Sequence, residues 1–336
     1  MTTPIALTGI KPSGIPHIGN YFGMIEPALA LFHAYRAFYF IADYHSLTVT
    51  RDPHAMQRQT YQVAATWLAL GLDPERVVFY RQSDIPEVFE LMWILSCSTA
   101  KGLLNRAHAY KAAVDANTAA GKPADGNIHA GVYYYPILMA ADILLFGADG
   151  VPVGTDQVQH VEIARDMAVA FNRSYGKVLK LPQALIREDT SALPGIDGRK
   201  MSKSYGNTIP IFAEAEVIRK RVSRIVTDAK RPEAPKNPDR CNVFGIYRHV
   251  APPEAVADMR ARYLQGGLAY GDVKQELADR LIAKFEDRRR TFTALMQAPA
   301  GIDAILRRGA QRARASAAPM LVDIRRKIGI GKRLEG

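Results

Sequence analysis

The sequence predicts an α/β fold with a parallel sheet over residues 1–212, followed by an all-helical region over residues 213–336. Two observations support this prediction. Strand-like and helix-like segments alternate through the first part, as they do in folds whose parallel strands are joined by helices. After residue 212 the long segments all have helical spacing, and proline- and glycine-rich breaks separate them. We therefore expect two domains, which a length of 336 residues also suggests.

The elements of the first part follow from residue type and spacing. Apolar or aromatic stretches predict strands at residues 5–10, 37–49, 76–83 and 151–154. Apolar residues at helical spacing predict helices at residues 16–35, 52–71, 86–99, 133–147 and 156–172. Asp52 is an expected N-cap, with Pro53 at the first helical position. Residues 115–131 are rich in Ala, Asp and Gly and have no period, which predicts a surface loop or lid.

The charge is concentrated in the second part, where helices are predicted over 212–229, 252–267, 270–297 and 299–330. Residues 1–212 contain 18 Lys and Arg against 18 Asp and Glu, whereas residues 213–336 contain 26 against 15. The whole net charge of +11 therefore lies in the helical part. A basic module beside a neutral core is typical of polyanion binding, although a solvated basic surface would have the same composition.

The composition also excludes several classes of protein. Cys97 and Cys241 are the two cysteines of the chain, which excludes a disulfide framework and a cysteine-based metal site and fits a reducing cytoplasm. The first residues lack the pattern of a signal peptide. The most apolar stretch, 132–150, is interrupted by Asp142, so we expect no membrane span.

A glycine-rich turn follows the first predicted strand, in the sequence IKPSGIPHIGNYFG (10–23). Gly9 and Gly14 allow the backbone to approach a ligand closely, and Pro16 favours the start of a helix. A helix start offers free N–H groups to a phosphate, and His17 and Asn20, three residues apart, are expected to share one helix face and to donate hydrogen bonds there. Alternatively, the turn simply ends the strand.

A second glycine-bounded stretch, GRKMSKSYGN (198–207), contains Arg199, Lys200 and Lys203 among small hydroxyl residues. Such a composition predicts a mobile loop rather than a helix interior. On its own, a loop of this kind would be expected to turn its lysines towards water.

Together, the two stretches resemble the class I aminoacyl-tRNA synthetases. HIGN (17–20) is similar to their His-Ile-Gly-His element, with Asn20 in place of the last histidine, and KMSKS (200–204) matches their second element. The resemblance implies a Rossmann-like catalytic domain that uses ATP with Mg²⁺, without a dedicated protein site for the metal. It implies catalytic roles for His17, Asn20, Lys200 and Lys203. It also implies that residues of both motifs, and residues that follow the first and fourth predicted strands, contact ATP. These are Lys11, Pro12, Ser13, Gly19, Asn20, Gly154, Asp156, Gln157, Lys200, Met201, Ser202, Lys203 and Ser204.

The predicted helix at 133–147 has a carboxylate on an apolar face. Tyr135, Met139 and Asp142 are spaced i, i+4 and i+7 and therefore share one side of the helix. A buried carboxylate is costly unless it is paired. Asp142 therefore either caps a group or pairs with an arginine, or it accepts a hydrogen bond from a buried ligand donor such as an indole N–H.

This helix and VPVGTDQVQH (151–160) resemble the tryptophanyl-tRNA synthetases, over about Thr8 to Asn207 and more loosely beyond. The resemblance implies that Asp142 binds the indole nitrogen of L-tryptophan, and that Tyr135 and Gln157 bind the α-ammonium and carboxylate. The other implied substrate contacts are Leu7, Gly9, His45, Met139, Val151 and Val153. The sequence departs from that family at several positions, with Leu7 for Phe, Lys11 for Gln, Thr155 for Glu, and Tyr205 and Gly206 for Asp-Pro.

The implied reaction is activation of tryptophan by ATP, followed by transfer to tRNA(Trp). The resemblance also implies a homodimer, and residues 84–104, which are apolar on more than one side, are expected to supply part of its interface. The basic helical part is expected to bind tRNA through residues 286–292, 305–316 and 323–333. The last helix is expected to pack back on the catalytic domain, and Lys111 either contacts phosphate or faces solvent. A tyrosyl-tRNA synthetase, a small-molecule nucleotidylyltransferase and a nonenzymatic RNA-binding protein remain as alternatives.

Overall fold

The computed structural model describes residues 3–154, 157–186 and 193–331. Within them, five strands form one parallel sheet in the order β3-β2-β1-β4-β5. The strands are β1 (Ile5–Ile10), β2 (Arg36–Ile41), β3 (Val78–Arg81), β4 (Gly150–Val153) and β5 (Gln183–Ile186). The chain adds strands on one side of β1 and then returns to the other side, which creates a switch point between β1 and β4. In open parallel sheets, ligands bind at the carboxyl ends of the strands at such a point.

Helices connect and cover this sheet. In the first part they are α1 (Ile18–Asn20), α2 (Glu26–Leu31), α3 (Asp43–Ser46), α4 (Pro53–Ala69), α5 (Glu87–Ser98), α6 (Lys101–Asn105), α7 (His108–Ala119), α8 (Ala130–Leu144) and α9 (Val158–Tyr175). In the second part they are α10 (Ala215–Ser223), α11 (Asn242–Val250), α12 (Pro253–Gln265), α13 (Tyr270–Gln297) and α14 (Pro299–Ile328). The predicted fold class, a Rossmann-like parallel sheet with a helical C-terminal region, is confirmed. Of the described helices, none is long and apolar enough to cross a bilayer.

Several element predictions were wrong in their bounds. The stretch 115–131 is not a loop throughout, because α7 continues to Ala119 and α8 begins at Ala130. The alanines of this stretch have a high helix propensity, which outweighs the aspartates within it. The strand predicted over 37–49 ends at Ile41, and the next residues turn into α3.

The helix predicted from residue 16 begins instead at Ile18, with His17 as its N-cap. It contains a π-helical turn, Tyr21–Ile25, before it continues as α2. Pro27 has no N–H to donate, and a wider turn just before a proline accommodates the missing hydrogen bond.

The sheet separates two hydrophobic clusters. Alternate strand residues belong to opposite clusters, since Tyr39 contributes to one and Phe38 to the other. The first cluster also contains Phe244 and Phe285 of the helical region, so its core is continuous with one face of the sheet. The division into domains at residue 212 stays a prediction.

The last helix, α14, lies against β3 at the edge of the sheet. A Cβ atom added at Gly309 would lie 1.7 Å from the carbonyl oxygen of Phe79, so the two backbones are in direct contact. Only a residue without a side chain permits this approach. The helix thus covers an edge strand that would otherwise expose unpaired backbone groups.

Candidate active site

The first motif lies directly after β1, at the switch point of the sheet. The backbone N–H of His17 donates to Oδ1 of Asn20 at 3.1 Å at the helix start. His17 precedes the first turn as its N-cap, and the side chain of Asn20 folds back onto it. A Cβ atom at Gly19 would lie only 3.0 Å from Nδ1 of His17, so the glycine gives the imidazole its space.

His17 is a buried neutral imidazole. Its exposed fraction is 6%, and its Nδ1 has no hydrogen-bond partner among the described residues. Burial, together with the nearby Lys203 ammonium, lowers the pKa of His17 to about 4. At neutral pH the ring is therefore uncharged and offers one N–H to a ligand.

The second motif is a loop held together by hydrogen bonds. The N–H of Met201 donates to the carbonyl of Leu193 at 2.9 Å, and the N–H of Gly195 donates to the carbonyl of Arg199 at 2.7 Å. Ser202 and Ser204 share a hydrogen bond of 2.8 Å between their hydroxyls. The movement predicted for this loop is not tested by its geometry.

Asn207 fixes this loop from inside and was not among the predicted site residues. It is buried, its Oδ1 accepts the N–H of Ser202 at 2.8 Å, and its Nδ2 donates to the carbonyl of Lys200 at 3.1 Å and to Oδ1 of Asp197 at 2.7 Å. A Cβ atom at Gly195 would overlap its amide. An asparagine at the end of a glycine- and serine-rich loop was the available signal.

The two motifs meet although they are far apart in sequence. The N–H of Ile18 donates to the carbonyl of Ile209 at 3.0 Å, which joins the end of the loop to the helix start. Nζ of Lys203 lies 2.5 Å from the carbonyl oxygen of Ser13. Burial lowers the pKa of Lys203 from its usual value. Lys200 has an exposed side chain on the same loop, whereas Met201 packs into the core.

Lys11 and Pro12 are hydrogen-bonded to the end of α3 and to the residues just after it. Nζ of Lys11 donates to Oγ1 of Thr48 at 3.1 Å, and burial lowers the pKa of this lysine. The hydroxyl of Ser46 donates to the carbonyl of Pro12 at 3.3 Å. The segment that links β1 to α1 is therefore hydrogen-bonded to the connection that follows β2.

Asp142 is deeply buried and hydrogen-bonded to two polar side chains. Its carboxylate accepts from Nε2 of Gln82, at 2.9 Å on Oδ1 and 2.8 Å on Oδ2, and from Nε2 of His45 at 3.0 Å on Oδ2. Burial raises the pKa of Asp142, while the hydrogen bonds from His45 and Gln82 oppose this. Its partners are thus neither an arginine nor a helix end. Gln82 was missed, and its position just after β3 was the signal for it.

Tyr135 belongs to a chain of hydrogen bonds that reaches α9. Its hydroxyl lies 2.6 Å from Nε2 of His160, whose Nδ1 lies 2.7 Å from Oε1 of Gln157. Because an amide oxygen only accepts, Nδ1 donates, and in the neutral imidazole Nε2 then accepts from the tyrosine. His160 was missed, although it lies three residues after Gln157 on one helix.

The remaining predicted substrate residues lie mostly in one apolar environment. Leu7 and Val151 are buried in the cluster to which Met139 and Val153 also pack. Phe40 covers Gly9, since a Cβ atom there would lie 2.5 Å from its ring.

Of the four remaining positions named in the sequence analysis, two lie within the described residues and two lie outside them. Gly154 follows β4 and is exposed. Asp156 and Thr155 lie outside the described residues. Lys111 is exposed on α7, and its contact with phosphate stays a prediction. No group of three or more His, Cys, Asp and Glu side chains within the described ranges is arranged to hold a metal ion.

Several arginines of the predicted tRNA surfaces bind within the chain. Arg325 forms two hydrogen bonds with the carboxylate of Glu90, and Arg314 donates to Glu87 at 2.8 Å. Arg312 donates to the carbonyl of Pro74 at 2.7 Å. These arginines hold α14 on the first part of the chain, which is one use of the positive charge that composition could not reveal.

Known proteins are similar to this chain in sequence and in fold. The family model of the class I tRNA synthetases (W and Y) matches residues 2–286. A tryptophan–tRNA ligase of Pseudomonas aeruginosa is 50% identical over 335 residues, which cover 98% of this chain and 74% of that protein. One of Neisseria meningitidis is 48% identical, with 98% and 99% of the two chains covered. The crystal structure of a tryptophanyl-tRNA synthetase from Campylobacter jejuni, complexed with ADP and tryptophan, is 42% identical, with a TM-score of 0.88 over 97% of this chain and 100% of that chain.

Proposed function

Since the chain belongs to the class I tRNA synthetases of the tryptophan and tyrosine type, we propose that it activates L-tryptophan with ATP and transfers it to tRNA(Trp). The first step forms tryptophanyl-adenylate and pyrophosphate. The enzyme is an ATP-dependent, AMP-forming ligase that supplies protein synthesis. The observation that best supports this function is the contact between Lys203 and Ser13, which brings the two motifs together.

In the proposed first step, the tryptophan carboxylate attacks the α-phosphorus of ATP, and negative charge builds on the departing pyrophosphate. Lys200 and Lys203 are the cations that stabilise this charge, and such fixed charges act more strongly on the transition state than on bound ATP. His17 contributes a neutral N–H donor rather than a third charge, in keeping with its low pKa. Mg²⁺ prefers phosphate oxygens and water, so we assign it to the nucleotide as part of the substrate.

The amino acid is proposed to lie with its indole ring against Met139, Val151 and Val153 and its ring N–H towards Asp142. The hydrogen-bond chain of Tyr135 supports the proposed contact with the α-ammonium. Its hydroxyl donates to His160 and accepts from the backbone of Ala109, which leaves one lone pair to accept from the ligand. The amide nitrogen of Gln157 is a donor of the kind that a carboxylate needs.

The alternatives fit these findings less well. Tyrosine also offers one donor to Asp142, but the relatives at about half identity are tryptophan–tRNA ligases. A tyrosyl-tRNA synthetase of Archaeoglobus fulgidus is 20% identical, and this likeness extends to the fold alone. A nucleotidylyltransferase or a nonenzymatic RNA-binding protein would not account for a match over nearly the whole chain.

We assign tRNA binding to the basic helical region, and we expect a homodimer in the cytoplasm. The side chain of Trp93 on α5, within the predicted interface 84–104, is 72% exposed. A large apolar ring in this position is typical of a surface that a partner covers. Cys97 and Cys241 are free thiols, as expected in a reducing compartment.

Pyrophosphate exchange with each of the twenty amino acids tests the proposed activity. Exchange should be supported by tryptophan and far less by tyrosine or phenylalanine. Charging of a tRNA(Trp) transcript should follow in the presence of ATP. Exchange that is strongest with tyrosine, or no exchange with any amino acid, would refute the proposal.

A further inference from the structure

The amide of Gln82 lies directly under the carboxylate of Asp142. Gln82 begins the 3₁₀ turn that follows β3 and is completely buried. Its Nε2 reaches both carboxylate oxygens, at 2.9 and 2.8 Å. Its Oε1 has no partner among the described residues, so this amide is oriented by the carboxylate alone. An unpaired buried oxygen is unfavourable, which indicates that the hydrogen bonds from Nε2 to Asp142 determine the orientation of the amide.

The contacts around Asp142 account for most of its capacity as an acceptor. Two carboxylate oxygens offer about four lone-pair positions. Gln82 occupies one on each oxygen, and His45 occupies the second on Oδ2. The remaining position is on Oδ1, which leaves room for a single further donor.

We propose that Gln82 is a positioning residue, which holds the Asp142 carboxylate ionised and oriented so that Oδ1 receives the N–H of the indole ring. This inference rests on the proposed function. Gln82 does not itself touch the amino acid in this arrangement. It acts through Asp142, and the specificity for an N–H donor depends on it.

The charged and titratable groups around Asp142 determine how removal of the Gln82 amide would change the ionisation of this carboxylate. His45 on α3 donates to the carboxylate, whereas the Asp43 carboxylate on the same helix opposes its ionisation. The Tyr80 hydroxyl on β3 is buried nearby, and the Asp142 charge contributes to its raised pKa. Without the amide of Gln82, His45 would remain as the donor that favours the ionised form.

Two substitutions of Gln82 should change tryptophan affinity with opposite dependence on pH. Gln82→Met keeps the volume but removes the donor, so protons should compete with tryptophan and the affinity should weaken as pH falls from 8 to 6. In Gln82→Glu, a carboxyl group that shares one proton with Asp142 can replace the amide, so affinity should weaken as pH rises and both acids ionise. We expect the tryptophan Kd of each variant to rise about 10- to 100-fold at its unfavourable pH.

Calorimetric titration with tryptophan alone, in the absence of ATP, measures these affinities. Ser83→Ala is the matched control, because Ser83 lies in the same turn but bonds to Asp43. It should keep the wild-type affinity and pH profile. Thermal melting identifies a variant that does not fold, and the other variant then provides the test by the sign of its pH dependence.

The result distinguishes this inference from the proposed function. If the wild-type protein binds tryptophan and both variants keep its Kd and its pH profile, Gln82 does not position Asp142. The same conclusion follows if both variants lose affinity equally at every pH. If the wild-type protein does not bind tryptophan, the proposed function itself is wrong.

Discussion

Nζ of Lys203 donates a hydrogen bond to the backbone carbonyl of Ser13, across 190 residues of sequence. The contact brings the ammonium of the second motif to the turn of the first, close to Gly14. The surrounding chain removes part of the water from this ammonium, which lowers its pKa. A triphosphate in the turn would offer a stronger partner than a carbonyl, because hydrogen bonds between ions are stronger than those to neutral groups.

Lys203→Ala should lower the rate of tryptophan-dependent pyrophosphate exchange about 100-fold, because it removes a cation that acts mainly in the transition state. The tryptophan Kd, measured by calorimetry, should change much less. Lys122→Ala, in the exposed turn after α7, is the control and should keep the full rate. An unchanged rate in Lys203→Ala would remove this lysine from the mechanism.

The buried imidazole of His17 should make the protein less stable in acid. Its pKa of about 4 lies below the value of 6.5 for an exposed histidine, so the unfolded chain binds more protons between these values. The contribution of His17 to stability is complete above pH 6.5 and is lost as pH falls towards 4. Between pH 7 and pH 5 the loss should be about 2 kcal/mol.

Urea unfolding of the wild type and of His17→Gln at several pH values measures this contribution. The free energy of unfolding of His17→Gln should fall less between pH 7 and pH 5 than that of the wild type. His33→Gln, at an exposed position, should follow the wild type. Equal slopes for the wild type and His17→Gln would show that His17 is not buried as a neutral group.

Much of this site was predictable from short sequence patterns, and the reasons are physical. His17 and Lys203 belong to stretches whose composition is unusual on the scale of a few residues. Asp142 was recognisable as a carboxylate on an apolar helix face. Each of these features is local, so a single sequence contains it.

The partners of those residues could not be predicted in the same way. Gln82 reaches Asp142 across 60 residues, and a single glutamine after a strand has no pattern that specifies its contact. The same holds for Arg325, whose pairing with Glu90 depends on where α14 lies. The helix α11 was also missed, since its buried Phe244 and Tyr247 lie in a short stretch after a proline-rich break.

Asp142→Ala should reduce discrimination between tryptophan and phenylalanine. Phenylalanine has no donor for the carboxylate, and a site built around such a donor rejects the analogue that lacks it. The ratio of kcat/KM for tryptophan to kcat/KM for phenylalanine, measured by pyrophosphate exchange, should therefore fall by about 100-fold or more. Asp43→Asn is the control, since that carboxylate bonds to Ser83 and should leave the ratio close to the wild-type value. Preserved selectivity in Asp142→Ala would refute the role of Asp142 with the indole ring.

Binding of tRNA should weaken steeply with salt, because contacts with phosphates release counterions. Arg290 on α13 is 69% exposed and pairs with acids of its own helix, so it is a candidate for such a contact. Arg290→Gln should reduce the slope of log K against log salt by about 1. Arg325→Gln, whose guanidinium is bound to Glu90, should leave the slope unchanged. Binding that does not respond to salt would exclude the basic helical region as the docking surface.

The contact between α14 and β3 gives a test of how the C-terminal helix is attached to the sheet. Gly309→Ala would put a methyl group onto the carbonyl of Phe79, where no flexible side chain can move aside. We expect the free energy of unfolding to fall by about 2–3 kcal/mol, as in other overpacked interiors. Gly301→Ala on the same helix is the control, because a Cβ atom there has no neighbour within 4 Å. That change should leave the stability unchanged or raise it by up to about 1 kcal/mol, since alanine favours helix over glycine. If the two variants unfold alike in urea, α14 does not lie on β3 as described.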